Sequence, residues 1–410
     1  LKTSCNQYPW GKTGKDSIAA RLCEKQPGWD GDGPKQEFKL DDSKPYAEQW
    51  FGTYPDLPSY VASTGEDLQD NSSARKLSKK FGHTKLPYLP KVLSIAKALP
   101  LQLHPNKEVA AKLHKENPND FTDPNHKPEI ALALGKFEAF CGFKPLEDIA
   151  SLLKLEPLQQ FLPSRDIKPS DFTDQQLKQV VKSMLQASDS TVKQVYKSLT
   201  SLPKDSFGKY DQIPKLAPRL AEQYSSSDPG ILVALMTMNY LVLEAGEAIY
   251  IPADGIHAYL SGDIIECMAR SNNVLNTGFC PRAERSNIDL FCDCLTFTPH
   301  KAEDAILEPQ RYAKGREGKT QLFAPPLSEF DMLQTKLERG EKEVLEKIGG
   351  GPSMAIVTKG GASVRVNGEG WGEIREGQVL FIARGVEIGL EASGQEGLLL
   401  HTAVVEGSTK

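Results

Sequence analysis

KLPYLPKVLSIAKALPLQLHPNKEVAAKLHKENPNDFTDPNHKPEIALAL, Lys85 to Leu134, is the stretch that decides how this 410-residue chain folds. Its two apolar runs, Val92 to Leu103 and Ile130 to Leu134, read as buried strands or as a buried strand-turn-strand. Each carries polar side chains that a plain core rejects. Gln102 and His104 lie two residues apart, so on a strand both leave the same face. Glu129 opens the second run, after a loop rich in Asn, Asp, Pro and His. Burying such groups without partners is unfavourable. An amide oxygen, an imidazole and a carboxylate converging on one barrel interior make a metal site, with His257 far downstream as the fourth ligand. Such a set with an open position suits catalytic zinc. Two His and one carboxylate also suit ferrous iron in an oxygenase. The plainer alternative is a pair of hydrogen-bonded core histidines.

The chain has the composition of a soluble globular protein, 25% charged and 39% hydrophobic, and is long enough for two or three domains. A formal net charge of −5 excludes the bulk positive field that a nucleic-acid polymer requires, while leaving room for a local basic pocket that takes one phosphate. No run approaches the length of a membrane span, and the N-terminal LKTSCNQYPWGKTG lacks the apolar core of a signal peptide. Seven cysteines at positions 5, 23, 141, 267, 280, 292 and 294 form no disulfide framework, which points to a reducing compartment and makes the cytoplasm the expected location. Cys292 and Cys294, between Phe291 and Leu295, read as buried structural thiols rather than metal ligands.

Outward from the opening stretch, the first 80 residues are rich in Gly, Pro and Asp and suit loops and short strands. From Pro145 to about Tyr224 the period becomes helical. Leu177, Val180, Val181, Met184 and Leu185 fall on one face, with Thr173 and Gln176 as a capping box. Val192, Val195, Tyr196 and Leu199 continue on a second helix, and SSSDPG (Ser225–Gly230) closes the insert. The reading returns to β at Ile231, where LEAGEAIYIPADGIHAYL (Leu243–Leu260) is strand, turn, strand, with Pro252 confining the first to an edge or end. Residues 299–350 read as a charged connector whose last part, Leu333 to Ile348, is helical. Gly-rich short strands finish the chain. EGQVLFIARGVEI (Glu376–Ile388) echoes AGEAIYIPADGIH (Ala245–His257), with Glu387 or Ile388 at the position of His257. Two related β-barrels follow, only the earlier one keeping a metal-binding histidine.

The motifs QLHPNK (Gln102–Lys107), DPNHKPE (Asp123–Glu129), GIHAYL (Gly255–Leu260) and KPYAEQWFGTYP (Lys44–Pro55) closely resemble those of the type I mannose-6-phosphate isomerases, as do QYPWGK (Gln7–Lys12) and LPKVLSIAKALP (Leu89–Pro100). They run in the family's order along nearly the whole chain. The resemblance implies a mainly β protein with an α-helical insert, made of two jelly-roll (cupin-like) β-barrel domains plus a helical domain. The expected boundaries are 1–144 and 231–298 for the catalytic barrel, 145–230 for the helical domain and 299–410 for a second barrel without a metal. It implies one Zn²⁺ per chain on Gln102, His104, Glu129 and His257. The implied reaction interconverts mannose 6-phosphate and fructose 6-phosphate through an enediol, feeding GDP-mannose synthesis. It points to Trp10, Glu48, Lys91 and Tyr259 as substrate-binding residues, to Glu266 as proton shuttle and to Lys127 as electrophile or proton donor. Without the resemblance, Glu266 and Lys127 read as a surface carboxylate and a solvated lysine. The expected partner is a small sugar phosphate, with no nucleic acid or membrane, and the expected state is a monomer.

The chain departs from the family where the pattern is SDNVxRAGxTPK. Here it reads SNNVLNTGFCPR, Ser271 to Arg282, so Asn272, Asn276 and Arg282 replace Asp, Arg and Lys. Asn276 hydrogen-bonds a hydroxyl but neutralises no enediolate or phosphate. Arg270, in phase with Glu266 on an unbroken strand, is the candidate replacement in catalysis, and Arg282 the candidate phosphate ligand, with Arg285 nearby. The alternative is a catalytically weakened paralogue that still binds metal and sugar phosphate.

Overall fold

In the computed structural model, which describes residues 1–26, 38–69, 85–164 and 169–406, the chain is mainly β with a helical segment between two parts of its first sheet system. The thirteen-residue strand His257–Ala269 is the spine. Its first residues pair with Leu101–Leu103 and Phe137–Phe143, and its remainder pairs with Tyr88–Ile95 and Glu129–Ala133. The register shifts between Tyr259 and Ser261, and Gly262 follows with φ +125°, a conformation that side chains rarely adopt. A Cβ at Gly262 would meet the Lys136 carbonyl oxygen at 2.6 Å. One strand therefore bends from one layer of strands into another.

The opening stretch folds as read, with strands Tyr88–Ile95 and Leu101–Leu103 around a tight turn and Glu129–Ala133 after an intervening helix, Lys107–Glu116. Its apolar residues run without a break because both faces are covered. Leu93, Ile95, Ala131, Ala133 and Ile264 pack inward with Tyr259 and Phe137. Tyr88, Val92, Ile130, Leu132, Ile265 and Cys267 face outward, against Phe323, Met332, Met354 and Ile356 of a second, nine-stranded sheet. The Tyr88 hydroxyl donates to the Pro352 carbonyl at 2.8 Å across that junction.

The helical segment packs on Leu101, Leu103, Phe140, Ala258 and Leu260, the outer face of the other strands. Thr173 and Gln176 form the expected capping box on Asp174–Gln186, and Asp189–Thr200 follows. The return to β expected at Ile231 comes later. Pro229–Thr237 is a helix, and strand begins at Met238. All nine residues of that helix are buried, so no polar face betrays its period. Asp228 caps it through the Gly230 amide at 2.8 Å, and the same carboxylate accepts from the Phe279 amide and from Arg285 at 2.9 Å.

The helix expected within Leu333–Ile348 is instead two strands, Asp331–Leu337 and Lys342–Leu345, turning at Gly340 with φ +77°. Leu333 and Leu337 satisfy both periods, and Gly340 favours the turn. Cys292 and Cys294 lie on a short helix, Ile288–Cys294, and are buried. In the late echo of the sequence, Val379–Ile382 and Ile388–Ala392 are strands, and Ile388 opens its strand as His257 opens its own. Among the described residues no helix is long and apolar enough to cross a membrane.

Candidate metal centre and sugar-phosphate pocket

Two strands and the residue just past a third, Leu101–Leu103, bring Glu129, His257 and His104 together, with one ligand atom of each lying within 4.8 Å of the others. Both imidazoles are fully buried, and Glu129 is 1% exposed. His104 Nδ1 lies 2.7 Å from the Asn273 carbonyl oxygen and His257 Nδ1 lies 3.0 Å from that of Gly255. A carbonyl only accepts, so Nδ1 carries the proton in each ring and Nε2 carries the lone pair. Burial holds both imidazoles below the usual histidine range, His104 at about 4, so both are neutral near pH 7.

Their Nε2 lone pairs aim at Glu129, with His104 Nε2 3.1 Å from Oε1 and His257 Nε2 3.7 Å from Oε2. Neither Nε2 has a hydrogen-bond partner among the described residues. Lone pairs directed at a carboxylate repel it unless a cation sits among them, so the donor set fits a divalent ion. Backbone-anchored imidazoles are the usual outer support of such a site. Gln102 opposes His257 on one neighbouring strand and Asn276 on the other. The three occupy one row, and residues directly opposite one another share a face. Gln102 thus lies on the same face as His257, which opens its own strand.

Beyond the triad, Tyr259 donates to Glu129 Oε2 at 2.9 Å, and Lys127 Nζ lies 3.3 Å from Oε1. Burial works against the Glu129 carboxylate, but the Lys127 ammonium beside it pulls the other way, and the carboxyl lies well below the ordinary range. Lys91 is buried between Glu266 at 3.0 Å and Glu48 at 3.6 Å, and Trp50 donates its indole N–H to Glu48. Burial opposes the Lys91 ammonium, yet Glu266, Glu48 and Glu129 together raise it above its usual value. Glu266 is pushed up to about 7, chiefly by burial and against the pull of Lys91. The site thus sets three carboxyl groups against two ammonium groups, so the fixed cations do not outnumber the acids there.

The remaining expected residues are placed as follows. Trp10 packs against the inner apolar cluster, stacks on Tyr8, and accepts the amides of Ala96 and Lys97 at the turn before Gln102. Arg270 follows the end of the long strand, donating to the Thr53 hydroxyl and carbonyl and lying 4.7 Å from the centre of the Tyr54 ring. Asn276 lies in the row of Gln102 and His257, and its buried Oδ1 has no partner among the described residues. The structure does not bring Arg282 to the site. It stands exposed on a short 3-10 turn, paired with Asp189 of the helical segment, because that turn leaves the sheet after Gly278. Arg285 is engaged by Asp228. Sequence reasoning missed Asn273 and Gly255, which act here through backbone carbonyls, and Tyr54, whose ring lies against Arg270.

The family described as phosphomannose isomerase type I, catalytic domain, matches residues 1–146. The chain is 34% identical to the mannose-6-phosphate isomerase of Schizosaccharomyces pombe, over 99% of both chains. It is 35% identical to that of Saccharomyces cerevisiae, over 99% of this chain and 98% of the other. Among solved structures, a mutant phosphomannose isomerase from Salmonella typhimurium superimposes with a TM-score of 0.75 at 24% identity, covering 98% of each chain. The same organism's mannose 6-phosphate isomerase bound to its substrate and zinc gives 0.72 at 23% identity, over 98% of this chain and 97% of that one. These likenesses fix the fold, and the curated relatives fix the lineage: this chain belongs to the mannose-6-phosphate isomerase family.

Proposed function

We propose that this protein is a zinc-dependent isomerase interconverting mannose 6-phosphate and fructose 6-phosphate, supplying sugar for GDP-mannose synthesis. The observation that carries the reading is the pair of buried, neutral imidazoles whose unprotonated nitrogens converge on Glu129. His104, Glu129, His257 and Gln102 would hold the ion. When bound, zinc supplies positive charge that stabilises a developing enediolate oxygen.

The chain's own residues do the rest. Tyr259 orients Glu129 and keeps its hydroxyl protonated, since burial raises it well above the usual phenol range. Glu266, held at about 7, takes the proton from the carbon next to the sugar carbonyl and returns it to the adjacent carbon. Lys91 sets that carboxyl's basicity, and Lys127 donates to a sugar oxygen. Trp10 and Glu48 shape the pocket wall. Arg270, at the end of the strand that carries Glu266, is the cation left for the phosphate end, since Arg282 is elsewhere. The intact set of Lys91, Lys127 and Glu266 favours an active enzyme over a weakened paralogue despite Asn276.

We read the two sheets as cupin-like jelly rolls, with 1–144 and 231–298 as the catalytic unit, 145–230 as the helical domain and 299–410 as the second barrel. Seven unpaired cysteines support a cytoplasmic location, and a monomer is the expected state. A coupled isomerase assay on purified protein tests the central claim. Turnover should vanish on chelation, return with zinc, and consume no oxygen. Full turnover after complete chelation, or recovery with iron and oxygen uptake alone, overturns it.

A further inference from the structure

We infer that Asn273 is a positioning residue that ties two metal-ligand segments together, so that its side chain sets metal affinity without touching the ion. The inference rests on the metal-binding reading above. Asn273 is 2% exposed and sits at the crossing of two segments. Its carbonyl oxygen fixes His104 through Nδ1 at 2.7 Å. Its side-chain amide reaches the other way, donating to the Asp123 carbonyl at 2.8 Å and the Asn125 carbonyl at 2.9 Å. That loop runs directly into Lys127 and Glu129. Ser271 closes the knot, donating to the Asn125 carbonyl at 3.0 Å and accepting the Asn273 amide at 3.1 Å.

The orientation of the Asn273 amide group is dictated by its partners. Only oxygens surround Nδ2, so NH₂ must face the loop, and Oδ1 is left buried without a partner among the described residues. A buried carbonyl oxygen without a partner is unfavourable. The arrangement tolerates it because two donors on one rigid side chain hold the 123–125 loop in place. The imidazole and the carboxylate of the metal site therefore share one anchor, although 25 residues of sequence separate them.

The test is zinc affinity of the apoprotein by chelator competition, with thermal stability of the same apoprotein in parallel. Asn273→Asp keeps the shape but turns an oxygen on the loop carbonyls, and Asn273→Ala removes the side chain. Each should weaken zinc binding about 10- to 100-fold, the range for outer-shell partners of a metal. Ser271→Ala, which leaves Asn273 in place, should weaken it several-fold and decides the matter if the Asn273 variants do not fold. A residue serving only structure would lower apoprotein stability with the zinc affinity unmoved. Variants that bind zinc within twofold of the parent overturn the inference. A parent that binds no zinc overturns the metal reading instead.

Discussion

Replacing Lys91 by Met removes an ammonium group that Glu266 and Glu48 share. At 3.0 Å from Glu266, its attraction is about 5 kcal/mol for an effective dielectric constant of about 20. Breaking a buried pair by deleting one partner usually costs about 3–5 kcal/mol, so the two routes agree. At about 1.36 kcal/mol per pKa unit, even a third of that attraction moves Glu266 up by roughly one unit. The carboxyl already stands at about 7 against an ordinary value of 4.5. Raising it further has a definite sign. The folded protein holds a proton that the unfolded chain has released, so the stability present below 4.5 is lost as pH rises through the folded value. In Lys91→Met the loss should extend to higher pH.

Two assays follow from this. The acid limb of the residual kcat/KM should move up by at least about one pH unit, and urea unfolding of the apoprotein at pH 8 should show the lost stability. Lys91→Met combined with Glu266→Gln removes the stranded charge and should recover part of the stability but none of the activity. An acid limb that stays within a few tenths of a unit of the parent, with an unchanged stability profile, would refute Glu266 as the titrating group and Lys91 as its control.

Other outcomes are equally definite. Tyr259→Phe keeps the ring against Phe137 but removes the donor to Glu129, and zinc affinity measured by chelator competition should fall about 10- to 100-fold. An unchanged affinity would mean that the hydroxyl does not orient the carboxylate. Asp228→Ala should destabilise the protein by more than the roughly 0.5–2 kcal/mol of a lost helix cap, because it also takes the carboxylate from the half-buried Arg285 guanidinium and the Phe279 amide. Chemical denaturation checks this, and a loss of only cap size would show that Arg285 finds another partner.

Much of the site was legible because its residues break a local rule. Gln102, His104 and Glu129 interrupt apolar strands, and period-two alternation alone puts the first two on one face. The rest depended on information that local pattern does not carry. Pro229–Thr237 is apolar on every side, so its buried helix has the signature of a strand. Leu333 and Leu337 fit either period, and only the turn at Gly340 breaks the tie. Arg282 looked available until the chain path carried it to Asp189. Asn273 and Gly255 act through carbonyls, which every residue possesses, so no side-chain motif announces them.

The spine from His257 to Ala269 has a last implication. The proposed metal ligand, the phenol that donates to Glu129 and the proposed proton carrier are threaded on one thirteen-residue rod, and that rod belongs to two layers at once. Fraying cannot strip them away one by one, because releasing any of them means parting the layers. Amide exchange along His257, Tyr259 and Glu266 should accordingly rise and fall together, as one gate with a single latch.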